Sequence, residues 1–156
     1  ISLAGPANQT LELVVQALTE RGIWLVAAVG NQGPLSPPRY PAAYPGVVAV
    51  TAVDTDRKVY RHAVRGPHLD YAAPGVELLV ASTGADSGFE RVSGTSYATA
   101  LVSGLIAHYR AESGSQSDLQ ARLERELVDL GQPGFDPVFG QGLLGRNLLL
   151  ELQQSR

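Results

Sequence analysis

The sequence has no cysteine and no methionine, and only one tryptophan and three phenylalanines among its 156 residues. Without cysteine, neither a disulfide nor a thiolate metal site can form. This leaves the compartment open, because a secreted domain of this length can be stable without disulfides. No apolar run reaches the roughly 20 residues that a membrane-spanning helix requires. Nor is there a block of basic residues. Twelve Lys and Arg against fifteen Asp and Glu give a net charge of −3, which argues against nucleic acid or an anionic membrane as partner. The opening residues lack the charged-then-apolar pattern of a signal peptide. The chain starts at Ile1, not at Met, and we read it as a piece of a longer protein.

What is present describes a globular chain. Hydrophobic residues make up 44% and charged residues 17% of the sequence, enough to fold around one sizeable core. We expect a single domain over 1–156. "ISLAG" reads as a short strand ending at Gly5-Pro6. "NQTLELVVQALTERG" predicts a helix capped by Asn8 or Thr10. Its Leu11, Val14, Val15 and Leu18 form an apolar stripe, and Gly22 suits the position just past its end. "IWLVAAV" is apolar on both faces, as a central parallel strand is. A Gly/Pro loop, "GNQGPLSPPRYPAAYPG", leads to two more apolar strands, "VVAVTAVD" and "LDYAAPG". Residues 76–92 read as a hairpin around "GADSG". An apolar helix should run from about Ser96 to Tyr109. "SQSDLQARLERELVDLG" predicts a last amphipathic helix with Leu119, Leu123, Leu127 and Leu130 on one side and a capping box at Ser117 and Gln120. The pattern predicts an α/β fold: a partial doubly wound, mostly parallel sheet with helices on both faces and one raw edge near residue 1.

Two residues stand where chemistry is possible. Ser96 lies in "SGTSYATALVSG", at the start of an apolar helix. It is either a helix cap or a nucleophile favoured by the helix dipole and its free N–H groups. The segment is not a Gly-x-Ser-x-Gly elbow, because position 98 is Ala. Asn31 follows a buried strand in "AAVGNQG". It is either a turn residue or a side-chain donor to a developing oxyanion at the carboxyl end of the sheet.

Taken together, the segments "SLAG", "AAVGNQG", "YPAAYPGVVAVTAVD", "LDYAAPGV", "SGTSYATALVSG" and "FGQGLLGRNLLL" resemble, in order and spacing, the C-terminal half of a subtilisin-like serine peptidase, a subtilase. The resemblance implies a subtilisin-type fold and a serine endopeptidase that forms an acyl-enzyme on Ser96. It further implies that Asn31 and the Ser96 N–H stabilise the oxyanion. Ser2, Leu3, Ala4 and Gly5 would align an extended peptide or protein substrate by strand addition. Ala27, Ala28, Val29 and Gly30 would wall the pocket for the side chain before the scissile bond, with Arg39 at its base. Secretion or a periplasmic location is implied as well. Calcium is common in the family, at a site of backbone carbonyls resembling those of Ala42, Tyr44 and Val47, but no side-chain pattern supports a metal or other cofactor here. Three positions depart from the family pattern: Ala100 replaces the usual Pro, Leu101 a frequent His, and Ala4 the usual Gly.

A serine hydroxyl needs a general base oriented by a carboxylate. The resemblance places the catalytic Asp and His upstream of this chain, so the chain alone is expected to be inactive. His62 and His68 fall on a surface connection between strands. His108 sits about 18 Å from Ser96 along the same helix, at 1.5 Å per residue. Asp54 and Asp70 fall at strand ends in structural positions. Three readings remain: half of a peptidase that pairs with the upstream half of the same protein; a non-catalytic pseudopeptidase or association module that self-associates through its open sheet edge; and a hydrolase with a base of its own, for which no His is placed.

Overall fold

The computed structural model describes residues 1–82 and 88–148. The turn of the expected hairpin at 83–87 and the end of "FGQGLLGRNLLL" lie outside the described residues. Three parallel strands form the sheet in the order β1-β2-β3: β1 (Leu25–Ala28), β2 (Val47–Val53) and β3 (Tyr71–Pro74). Strands β4 (Leu78–Ala81) and β5 (Phe89–Val92) make a separate antiparallel pair. Helix α1 (Gln9–Glu20) precedes β1, and α2 (Thr95–Glu112) and α3 (Gln116–Glu126) follow β5. No helix among the described residues is long and apolar enough to cross a membrane.

Alternate residues of each strand face opposite sides of the sheet, so the two faces carry different cores. Val26, Val50, Ala52, Tyr71 and Ala73 pack under Ala98, Val102 and Ile106 of α2 and Leu119 and Leu123 of α3. Ala27, Val29, Val47 and Ala49 pack on the other side with Val15 of α1 and Tyr44. The small side chains of the sheet let α2 lie close across all three strands. Helices on both faces of a parallel sheet are therefore found as the apolar strands predict.

Several local expectations are corrected. "ISLAG" is not a strand. Ile1 alone pairs with β1, its amino group donating to Val26 O at 2.6 Å and its carbonyl accepting from Ala28 N at 3.1 Å. Gly5 makes an antiparallel bridge with Tyr40, and the backbone of Ser2, Leu3 and Ala4 has no backbone hydrogen-bond partner among the described residues. In α1, Asn8 is the cap, its Oδ1 accepting from Leu11 N at 2.9 Å, and Gly22 follows the helix with a φ of +72°. Val14 of the expected stripe is exposed and only Val15 is fully buried, because α1 touches the sheet along a single line. Helix α3 is capped by Ser115, not Ser117: Ser115 Oγ accepts from Asp118 N at 3.2 Å. The helix stops at Leu127, so Leu127 and Leu130 of the expected stripe lie beyond it. The chain then turns extended, and Val128 and Leu143 exchange backbone hydrogen bonds while Leu143 also bridges Ala72 of β3. This covers the β3 side of the sheet and leaves β1 as the open edge.

Candidate active site

The loop after β1 and the start of α2 meet at the carboxyl end of the sheet. Gly30, with a φ of +102°, turns the chain out of the core. Its carbonyl accepts from Val64 N at 3.0 Å, and Gly33 N donates to His62 O at 2.8 Å. These two bonds hold Asn31 between them in a fixed turn. At the other side, the end of β3 carries α2 into place: Gly94 N donates to Gly75 O at 2.8 Å. A Cβ on Gly75 would stand 2.7 Å from Ala52 Cβ and 3.0 Å from Ala98 Cβ, so only glycine permits this approach of strand and helix.

Ser96 is not the cap of α2. The cap is Gly94, with no side-chain cap bond, and Thr95 and Ser96 are the first two helical residues. The capping role open to Ser96 in the sequence is thereby removed. Ser96 is half-buried; among the described residues its hydroxyl makes no hydrogen bond and its own N–H, one of the helix's free amino-terminal donors, has no acceptor. The first turn carries no Asp or Glu to offset the positive end of the helix dipole. Ser2 Oγ donates to Ser96 O at 3.4 Å, which ties the unpaired Ser2–Ala4 segment to the same helix turn.

Asn31 is oriented by a residue that sequence reasoning passed over. Its Oδ1 accepts from both Thr95 N, at 3.1 Å, and Thr95 Oγ1, at 3.0 Å. Thr95 is completely buried. With both donors on the oxygen, the Asn31 amide is left with its N–H₂ free of Thr95, on the side of Gly94. A Cβ on Gly94 would sit 3.4 Å from Asn31 Nδ2. Among the described residues neither Asn31 Nδ2 nor the Ser96 N–H has an acceptor, and N–H donors of this kind can polarise a carbonyl group. The only sequence signal for Thr95 was its place beside Ser96; its partner is 64 residues away.

The remaining predicted site residues are distributed around this point. Ala4 and Arg39 both approach Gly30: a Cβ there would be 3.1 Å from Ala4 Cβ and 3.4 Å from Arg39 Cγ. Gln32 Oε1 also lies over Gly30, a neighbour not foreseen. Ala28 and Val29 are buried, and the Val29 side chain belongs to the core beneath α1. These two can line a pocket only through their backbone. Leu3 is 74% exposed and stands free on the unpaired segment.

No histidine reaches Ser96. His62 is exposed, its Nε2 accepting from Arg61 Nε at 2.8 Å and its ring edge-on to Tyr60. His108 is exposed and lies 3.6 Å from Glu112. His68 is half-buried on the connection between strands: among the described residues both ring nitrogens are buried without a hydrogen-bond partner, and desolvation lowers its pKa. Asp70 Oδ2 accepts from Ala49 N at 2.7 Å; burial raises its pKa, against the opposing pull of that bond. Asp54 Oδ1 accepts from Asp56 N and Lys58 N in a tight turn. Both carboxylates are structural, as expected.

Among the described residues no group of three or more His, Asp or Glu could hold a metal ion. Ala42, Tyr44 and Val47 supply no carboxylate, and the Tyr44 carbonyl already accepts from Val47 N at 3.3 Å.

The model of the subtilase family matches residues 2–142. The chain is 34% identical over 139 residues to the minor extracellular protease Epr of Bacillus subtilis (strain 168), covering 88% of this chain and 21% of that protein. It is 37% identical over 147 residues to subtilisin Savinase of Lederbergia lenta, covering 92% of this chain and 52% of that one. Among solved structures, sphericase superposes with a TM-score of 0.75 at 31% identity, over 91% of this chain and 54% of that chain. A lanthipeptide protease superposes with a TM-score of 0.77 over 98% of this chain and 61% of that one; at 18% identity this likeness speaks for the fold alone. The chain thus spans about half or less of the length of these curated relatives. A family match over nearly all of its length, carried on a sheet that brings Asn31 to the first turn of α2, makes this chain a member of the subtilase family.

Proposed function

We propose that this chain is the nucleophile-bearing part of a subtilisin-type serine endopeptidase. The observation that carries the reading is the double hydrogen bond from Thr95 to Asn31 Oδ1, which leaves the Asn31 N–H₂ free near Gly94, at the start of the helix that carries Ser96. In the reaction, Ser96 Oγ adds to the carbonyl carbon of the scissile bond while its proton passes to a general base. The carbonyl oxygen becomes an oxyanion held by Asn31 Nδ2–H and the Ser96 N–H. Collapse of the adduct expels the amine, which takes the proton from the base, and leaves the acyl group on Ser96 for water to remove. The open backbone of Ser2–Ala4, with Gly5 pinned to Tyr40, accepts the substrate as an added strand. The base and its carboxylate come from the Asp- and His-bearing half of the same polypeptide, which also covers the open edge of β1. The natural setting is outside the cytoplasm, in keeping with the extracellular protease named among the relatives.

The test is peptide hydrolysis by this chain joined to its Asp- and His-bearing half, against Ser96→Ala and Asn31→Ala. Ser96→Ala should abolish turnover, and Asn31→Ala should lower kcat by about 10²–10³-fold with little change in KM. A joined, folded protein that neither cleaves peptides nor reacts with a fluorophosphonate at Ser96 would make the chain a non-catalytic relative.

A further inference from the structure

The Ser2–Ala4 segment is held at its two ends and not along its length. Ahead of it, Ile1 is pinned to β1. Behind it, both anchors come from a single turn, residues 40–44. Tyr40 exchanges two backbone bonds with Gly5, at 2.9 and 3.0 Å. Tyr44 holds Asn8 by its side chain: the hydroxyl donates to Asn8 O and accepts from Asn8 N, each at 2.8 Å. One phenol thus serves the N–H and the C=O of the same residue, as a neighbouring strand would.

The turn is a firm base for this hold. Ala43 N donates to Arg39 O at 2.9 Å and Tyr44 N to Pro41 O at 3.0 Å. Tyr44 is buried in the core with Val15, Ala27, Val29 and Val47, and the Tyr40 ring lies against its own with centroids 4.4 Å apart. Asn8 has no comparable support from α1, whose one fully buried residue, Val15, comes about two turns further on. We infer that Tyr44 is a positioning residue for peptide binding: its hydroxyl, through Asn8, keeps the Ser2–Ala4 backbone in the line along which a substrate strand adds. The inference rests on the peptidase reading above. Nothing in that reading brings Tyr44 to the reacting carbonyl, so its effect falls on binding and not on the chemical step. A segment freed at one anchor samples more conformations, and a bound peptide must then order it. Only substrates long enough to pair with the segment bear that cost.

The experiment compares the joined enzyme with its Tyr44→Phe and Asn8→Ala variants on two substrates. One is a peptide with several residues before the scissile bond; the other is an N-acetyl amino-acid ester, too short to pair along Ser2–Ala4. Tyr44→Phe keeps the ring and removes only the hydroxyl. It should raise KM for the peptide by about 10-fold, with kcat within about twofold and both constants for the ester unchanged. Asn8→Ala removes the Oδ1 that caps α1 but keeps the N–H and C=O that Tyr44 holds. It should lower Tm and leave the ratio of peptide to ester kcat/KM as in the wild type. Three results overturn the inference and leave the peptidase reading standing: equal losses on both substrates in Tyr44→Phe, an unchanged peptide KM in that variant, or the same rise in peptide KM in Asn8→Ala. Loss of folding in Tyr44→Phe would make the hydroxyl a group of the fold alone and overturns it too. Failure of the folded wild type to hydrolyse either substrate overturns both readings.

Discussion

Thr95 shows how one buried hydroxyl can decide the orientation of another residue's amide. If its two bonds to Asn31 Oδ1 set the donor direction, Thr95→Val should lower kcat by about 10-fold while KM stays nearly constant, a smaller loss than removing the donor itself. Thr95→Ser, which keeps the hydroxyl, should recover most of that rate. Full activity in Thr95→Val, with a loss in Thr95→Ser, would show that the methyl group and not the hydroxyl's hydrogen bond matters. His68 affects stability instead. Because burial lowers its pKa below the ordinary 6.5, the unfolded chain binds a proton below that pH which the folded chain resists. Stability is therefore at its full value above pH 6.5 and falls as the pH drops from 6.5 toward the folded-state pKa. His68→Leu should flatten the dependence of Tm on pH between about pH 7 and pH 5, measured by thermal denaturation. An unchanged slope would place the titration elsewhere.

At the scale of elements, two glycines on or against α2 should respond with opposite signs. Gly75 sits where β3 meets the start of the helix, and an added Cβ would press on Ala52, on Ala98 and on Gly94 O at 3.0 Å. Gly75→Ala should cost about 1–3 kcal/mol through this overpacking and, by shifting the first turn of α2, depress turnover as well. Gly104 lies mid-helix with open space around it. There Gly104→Ala should stabilise by up to about 1 kcal/mol through helix propensity alone and leave turnover unchanged. Denaturant midpoints of the two variants compare these directly; a neutral Gly75→Ala would mean the strand–helix contact can relax.

The whole molecule is asymmetric at its edges. On the β3 side the sheet is continued by the Leu143 and Val128 segments. On the β1 side only Ile1 is paired, and a groove of about 530 Å³ opens between β1 and α2, lined by Ile1, Ile23, Trp24, Val26 and Ile106 with Arg21 and Arg110 at its rim. Ile1 and Ile23 are 46% and 41% exposed. Open strands with apolar flanks pair with other chains. The 156-residue chain on its own should therefore associate at micromolar concentration, and it should not hydrolyse peptides. Sedimentation velocity of the wild type against Ile23→Lys should show the association weakening in the variant. A well-folded wild-type monomer would count against this use of the edge.

Much of this was present in the linear order of residues. The apolar runs at 25–28 and 47–53, the Asn8 cap with Gly22 beyond the helix, and the small residues before α2 are local signals. Each depends on neighbours within a few positions, where helix and strand periods and turn chemistry act. The order of the family's segments likewise needs no structure, and the resemblance points to Asn31 and Ser96 as the residues of the proposed chemistry. Tertiary structure alone decided how they meet. Thr95 finds Asn31 across 64 residues, Arg39 lies along Gly30, and the Val29 side chain turns into the core. Ser96 proves not to be a cap, the ring nitrogens of His68 become buried, and the residues after α3 join the sheet at Ala72. Such contacts are set by strand register and by the packing of one face on another, and those are properties of the closed chain, to which no short stretch of sequence holds the key.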